Sequence, residues 1–194
     1  MRKRKNLFGQ DVKLNRTDID GLYIIEPKDF TDNRGSFLKI YTHDFFSLDI
    51  DAFTIKESYY TLSKKGVIRG MHFQAPPHEH TKLVYVPHGA ILDVVLDIRK
   101  DSPSYGKYFS IELSAENKKL LHIPPGLAHG FKSLQDETNV SYLQDSVYNE
   151  SSDMGIAYNS FGFDWKIEMP ILSERDKELP DFKLFNSPFE YTAR

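Results

Sequence analysis

The amino-acid sequence predicts an all-β barrel or sandwich, on three observations. Short apolar runs recur about every 8–12 residues with turn chemistry between them. Fourteen Phe and eleven Tyr favour strands and ring-lined pockets. Between Gly66 and Arg99 lie three strand-like runs, residues 66–74, 82–86 and 91–99, that carry charge into apolar surroundings.

The 194 residues suit one domain. Residues 16–194 are expected to form it, and residues 1–15, which open on Arg2-Lys3-Arg4-Lys5 before any hydrophobic periodicity, a mobile N-terminal tail. A formal net charge of -3 gives no general pull toward nucleic acid or an anionic membrane. The absence of cysteine excludes disulfides and thiolate ligands. No apolar run approaches the roughly 20 residues of a membrane span and no signal-peptide pattern is present, so the expected location is the cytoplasm.

Each element has its own justification. Leu22-Tyr23-Ile24-Ile25 reads as a short buried strand, Asp32-Asn33-Arg34-Gly35 as a tight turn and residues 36–41 as a second strand, so the pair is expected to form an N-terminal hairpin. Residues 43–48 read as a brief helix. Residues 53–61 read as a strand with Phe53, Ile55, Glu57 and Tyr59 on one side and Thr54, Lys56, Ser58 and Tyr60 on the other. Neither side is cleanly apolar, which suits a strand lining a pocket or interface.

Along residues 91–99, Asp93, Val95 and Asp97 share one face while Leu92, Val94, Leu96 and Ile98 share the other. Buried charge is costly unless paired, so these carboxylates imply partners or a wet cavity. Ser102-Pro103-Ser104-Tyr105-Gly106 is turn chemistry, and residues 108–113 direct Phe109, Ile111 and Leu113 to the core. Residues 120–123 continue the pattern, Pro124-Pro125-Gly126 turns the chain into 127–131, and 139–144 carries Val140 and Tyr142 on a common face. Trp165, Pro170 and Leu172 then read as packing for a C-terminal arm folded over the barrel. Ser173-Glu174-Arg175-Asp176 starts a short helix capped by Ser173.

Seven histidines without cysteine invite a metal reading. Pro124-Pro125-Gly126-Leu127-Ala128-His129 fits the P-x-G-x-x-H half of a cupin motif and His78-Glu79-His80 offers the other half. That makes His78, His80 and His129 a candidate set for a metal-dependent oxygenase or isomerase. The strands agree with a cupin-type jelly-roll barrel, with an N-terminal hairpin and a C-terminal arm of short helices. However, the carboxylate expected after the histidine pair is replaced by Lys82-Leu83-Val84, and an ammonium there disfavours a divalent cation. A solvated proline loop is the favoured reading of His78 and His80. In isolation His72 reads as a hydrogen-bonded core histidine, Asp176 as a cap charge, Tyr142 as a core aromatic, and Asp93 or Asp97 as partners of Arg99 or Lys100. Arg69, His72, Lys82 and His129 nonetheless lead to one barrel mouth, and cations converging in an acidic protein suit an anionic substrate. A non-catalytic jelly roll that only binds such an anion would use the same cations.

The blocks Asp32-Asn33-Arg34-Gly35-Ser36-Phe37, Gly66-Val67-Ile68-Arg69-Gly70-Met71-His72-Phe73-Gln74, Lys82-Leu83-Val84, Ile123-Pro124-Pro125-Gly126-Leu127-Ala128-His129-Gly130-Phe131 and Leu172-Ser173-Glu174-Arg175-Asp176-Lys177 together resemble the dTDP-4-dehydrorhamnose 3,5-epimerase family. The resemblance implies a metal-free cupin-type jelly roll, a homodimer and action on nucleotide-linked 4-keto-6-deoxyhexoses in bacterial deoxysugar synthesis. It implies no cofactor. A C4 ketone acidifies the C–H bonds at C3 and C5, and inversion needs a base and an acid on opposite ring faces. By resemblance His72 is the base, oriented by Asp176, Tyr142 the acid, and Lys82 the cation that meets the enolate oxygen. Arg69 is expected at the diphosphate and His129 near the sugar, with Gln74 among the substrate-binding residues. Arg34 resembles an arginine that reaches the nucleotide from the partner subunit.

The chain departs from the family at Lys39, where a glutamate is usual, and at Glu57 and Tyr59, where glutamine and asparagine are usual. All three are expected at the nucleotide end. Thymine N3–H suits a carboxylate, whereas Lys39 can only donate. Cytosine or guanine, with acceptors for Lys39 and N–H groups for Glu57, fits the reversal, and a large base stacks on Tyr59. A CDP- or GDP-linked sugar is therefore expected over a dTDP-linked one.

Overall fold

Residues 3–5, 11–42 and 53–193 are described in a computed structural model. Their strands are β1 (Lys3–Lys5), β2 (Asp11–Arg16), β3 (Tyr23–Glu26), β4 (Asp29–Asp32), β5 (Gly35–Leu38), β6 (Glu57–Ser63) and β7 (Ile68–Gln74). There follow β8 (Lys82–His88), β9 (Ala90–Asp97), β10 (Tyr108–Ser114), β11 (Leu120–Ile123), β12 (Leu127–Ser133), β13 (Thr138–Gln144) and β14 (Asp153–Gly155). One antiparallel sheet runs β1-β2-β3-β11-β8-β13-β6, a second runs β10-β9-β12-β7-β14, and β4-β5 stand apart as a hairpin. Val84, Leu121, Val140 and Tyr142 from the first sheet meet Ile91, Val95, Leu113 and Phe131 from the second in a shared interior. This is the predicted all-β jelly roll.

β9 shows why its sequence looks apolar on one side and mixed on the other. Val95 faces the interior, whereas Val94, Leu96 and Ile98 face outward and are covered by Phe161, Trp165 and Phe189 of the C-terminal arm. Burying each such side chain contributes about 1.5–3 kcal/mol, so the arm is held by a second core. The inward carboxylates have partners. Asp97 accepts from Arg99 Nε at 2.9 Å and from Ser102 and Ser104 Oγ at 2.7 Å each. Asp93 faces His129.

Several local expectations are corrected. The turn lies at Asp32–Gly35 as expected, but it joins β4 to β5, while β3 pairs with β2 and β11. Tyr23 and Ile25 gain more by packing with Phe53, Leu83 and Leu120 than an exposed hairpin could offer. The polar lead to residue 15 contains strand β2, because Val12 and Leu14 rest on that cluster while Asn15 and Lys13 bond Glu26. The strand expected over 53–61 begins at Glu57. Phe53 is instead buried edge-on against Tyr41, whose hydroxyl donates to the Phe53 carbonyl at 2.8 Å. The helix expected over 43–48 lies outside the described residues. The short helix Glu174–Lys177 starts as predicted, with Ser173 Oγ accepting the Asp176 N–H at 3.1 Å.

Candidate active site

A cleft of about 370 Å³ opens where β6, β7, β8, β12 and β13 converge, a size within the usual range for ligand sites. Strand alternation alone would send Arg69 and His72 to opposite faces of β7. The pattern breaks between them at Gly70, which sits at φ +127°, and both side chains line the cleft. A Cβ on Gly70 would stand 2.5 Å from Gly130 Cα on β12, so the strands approach too closely for any other residue.

His72 is paired with a carboxylate from the C-terminal arm: its Nε2 lies 2.6 Å from Asp176 Oδ1. Asp176 is almost fully buried and His72 about a quarter exposed, at 3% and 27% of their side-chain surface. Burial pushes the Asp176 carboxyl up, but the His72 hydrogen bond and charge outweigh it and hold the pKa below its ordinary value. An ionised Asp176 accepts a hydrogen bond from the Nε2–H of a neutral His72, leaving Nδ1 as the lone-pair nitrogen. A second pair lies across the β7–β12 ladder, where His129 stands opposite His72 and its Nε2 is 2.8 Å from Asp93 Oδ2.

Lys82 is buried, and its ammonium makes no hydrogen bond among the described residues. Burial pushes its pKa down to about 8, although Asp153 and Asp93 pull it upward. The geometry is that of a cation held ready for an anion. Tyr142 is also buried, and burial above all, then Tyr59 and Asp93, keeps its hydroxyl well above the ordinary value and hence a donor. Tyr59 stacks on Tyr142 at 4.7 Å and 17°, and its hydroxyl accepts from Gln144 Nε2 at 2.8 Å. Burial and Glu57 raise the Tyr59 hydroxyl to about 12. Arg69 is tethered through Nε to Ser63 Oγ at 3.1 Å and through Nη2 to the Leu62 carbonyl at 3.2 Å.

Of the expected site residues, Arg69, His72, Gln74, Lys82, His129, Tyr142, Glu57 and Tyr59 line this one cleft, and Asp176 stands directly behind His72. Arg34 and Lys39 do not. They line a separate recess with the β4–β5 hairpin, where Arg34 pairs with Asp32 at 2.6 Å. Gln74 borders the cleft but commits its amide to the loops around it, and Glu57 Oε2 takes the Tyr148 N–H at 2.8 Å. The ring of Tyr59 is likewise taken, by Tyr142. His80 is buried instead of solvated, and no three His, Cys, Asp or Glu among the described residues are placed to hold a metal ion.

The sequence reading passed over the Arg175–Asp153 ion pair at 2.8 Å, together with Tyr148 and Gln144. Gln144 was within reach, two residues beyond Tyr142 on the same strand face. Tyr148 follows β13 in irregular chain, and Asp153 opens the three-residue strand β14, too short to carry a periodic signal.

The model of the family described as dTDP-4-dehydrorhamnose 3,5-epimerase matches residues 16–183. A Shigella flexneri relative named dTDP-4-dehydrorhamnose 3,5-epimerase is 38% identical over 164 residues, spanning 83% of this chain and 91% of that protein. A Bacillus anthracis crystal structure of that name, with TDP and PPi bound, superposes with TM-score 0.86 at 36% identity, over 88% of this chain and 99% of the other. A Legionella pneumophila dTDP-6-deoxy-D-glucose-3,5-epimerase in complex with dTDP-4-keto-L-rhamnose gives TM-score 0.88 at 34% identity, over 94% and 100%.

Proposed function

This chain belongs to the dTDP-4-dehydrorhamnose 3,5-epimerase family, and from that premise we propose how its cleft inverts C3, C5 or both in a nucleotide-diphosphate-linked 4-keto-6-deoxyhexose. It is an isomerase-class enzyme of deoxysugar biosynthesis. The observation that carries the mechanism is the His72–Asp176 pair in the cleft where Tyr142 presents a buried hydroxyl.

His72 Nδ1 removes the proton from carbon next to the C4 ketone, and Asp176 stabilises the imidazolium that forms. The electrons of the C–H bond move into the enolate, whose C4 oxygen is met by the Lys82 ammonium, an interaction stronger in the transition state than in the ground state. Tyr142 returns a proton to the opposite ring face. Arg69 binds the diphosphate and His129, held by Asp93, contacts the sugar. His72→Ala and Tyr142→Phe should each lower turnover by about 10²- to 10⁴-fold, the usual worth of positioned proton transfer. Unchanged epimerisation in His72→Ala overturns the base assignment.

The functional unit is a homodimer in which the β4–β5 hairpin of one copy reaches the other's cleft. Exposed Tyr60 and Leu62 on edge strand β6, and Phe37 on the hairpin, support this reading, because such apolar surface is seldom left bare. Arg34 and Lys39 would then meet the nucleotide only across the interface. If Lys39 and Glu57 frame one base, CDP or GDP sugars are preferred to dTDP sugars. Comparing kcat/KM for the three nucleotides decides the point, and a dTDP preference contradicts it. The enzyme acts in the cytoplasm on this reading; no helix among the described residues is long and apolar enough to cross a membrane.

A further inference from the structure

His80 lies in a histidine-rich proline loop, yet it is 9% exposed and borders the cleft. Its chemical state is decided by Gln74. The side-chain carbonyl of Gln74 takes the Asn149 N–H at 2.6 Å, and its amide nitrogen donates to the His78 and Val147 carbonyls at 2.7 Å and 3.2 Å. Backbone groups cannot exchange donor and acceptor roles, so the amide has one allowed orientation. The same nitrogen, whose two hydrogens are shared among these neighbours, lies 3.1 Å from His80 Nδ1, and since an amide nitrogen cannot accept, Nδ1 carries the lone pair. The ring proton is on Nε2, and a doubly protonated ring would set two donors against each other. Burial, then the charges of Lys82 and His129, push the His80 pKa down to about 2, in keeping with a neutral ring.

That Nε2–H is shielded from bulk water and has no partner among the described residues. Buried donors in native proteins are nearly always satisfied, so an orphan beside a ligand cleft calls for a partner from the ligand. We propose that His80 is a further substrate-binding residue, a neutral imidazole whose tautomer Gln74 fixes and whose Nε2–H donates to a sugar oxygen on the Lys82 side of the cleft. A neutral donor suits this place better than a second cation, since it adds a hydrogen bond to an oxygen held by Lys82 without charge repulsion. The identity of the acceptor rests on the sugar-nucleotide reading above.

The test is a long-range ¹H–¹⁵N correlation spectrum of the full chain labelled at histidine. In the free protein His80 is expected as the Nε2–H tautomer, unchanged between about pH 5 and 8, where an ordinary histidine titrates. Adding a dTDP-linked 4-keto-6-deoxyhexose should shift the Nε2–H resonance, and TDP alone should not. An Nδ1–H ring, a ring that titrates in that window, or equal responses to both ligands overturns the proposal. His80→Gln retains a donor and His80→Phe does not, so kcat/KM should differ between them by about tenfold or more, the worth of one hydrogen bond. Equal values overturn the role. Failure of the sugar-nucleotide reading shows as no turnover by the unaltered protein, whereas failure of this inference shows as turnover with no response from His80.

Discussion

His72 Nε2 and Asp176 Oδ1 stand 2.6 Å apart although 104 residues separate them in the chain, and their contact decides which imidazole nitrogen remains for chemistry. In Asp176→Asn an amide N–H can face Nε2, which favours the opposite tautomer and removes the lone pair from Nδ1. The expected result is a fall in kcat of about 10²- to 10⁴-fold. The helix cap uses the Asp176 backbone N–H and not its carboxylate, so the variant should fold. Circular dichroism with steady-state kinetics checks both halves.

Lys82 predicts a basic limb in the pH profile. Burial lowers its pKa to about 8 in the free enzyme, so the ammonium, and with it the stabilisation of the enolate, is lost as pH rises through that value. kcat/KM, which reports free-enzyme groups, should fall above about pH 8, whereas the limb in kcat should lie higher because bound anion favours the charged lysine. In Lys82→Arg the kcat/KM limb should vanish from this range, since a guanidinium stays charged.

Tyr142→Phe keeps the ring that stacks on Tyr59 and removes only the hydroxyl. Proton removal by His72 does not need the opposite-face acid. Solvent deuterium should therefore still enter at one carbon while inversion is blocked, a separation that proton NMR of the recovered sugar nucleotide resolves. Full inversion in this variant would move the acid role elsewhere.

Gly70→Ala is expected to destabilise the fold, because φ +127° strains any Cβ and the added carbon meets backbone at Gly130. A cost of about 2 kcal/mol or more is expected, which at this chain size lowers Tm by about 4–8 °C. Thermal melts of the two proteins measure it directly.

The strands were legible because alternation has a period of two: β10 and β13 present Ile111, Leu113, Val140 and Tyr142 as their sequence patterns require. Strand β2 was not, since a half-buried strand that alternates Val12 and Leu14 with Lys13 and Asn15 looks like a polar lead. Nor was the partner of β3, which is set by a cluster drawn from Phe53, Leu83 and Leu120, far apart in sequence. In the site, His72 and Asp176 were reached through family resemblance, because no periodicity links them. Asp93 was correctly read as an inward carboxylate, but its pairing with His129 depends on the register of β9 against β12. His80 was misread because its burial comes from the Gln74 network that closes over a polar loop.

The central claim is metal-independent proton transfer at carbon next to a C4 ketone, with His72 as the base. Proton NMR in deuterated water, without added metal, over a panel of dTDP-, CDP- and GDP-linked 4-keto-6-deoxyhexoses tests it most directly. The account predicts deuterium at C3, C5 or both of at least one substrate with the unaltered protein, and its loss in His72→Ala. Absence of exchange across the panel, or exchange that persists in His72→Ala, would contradict it.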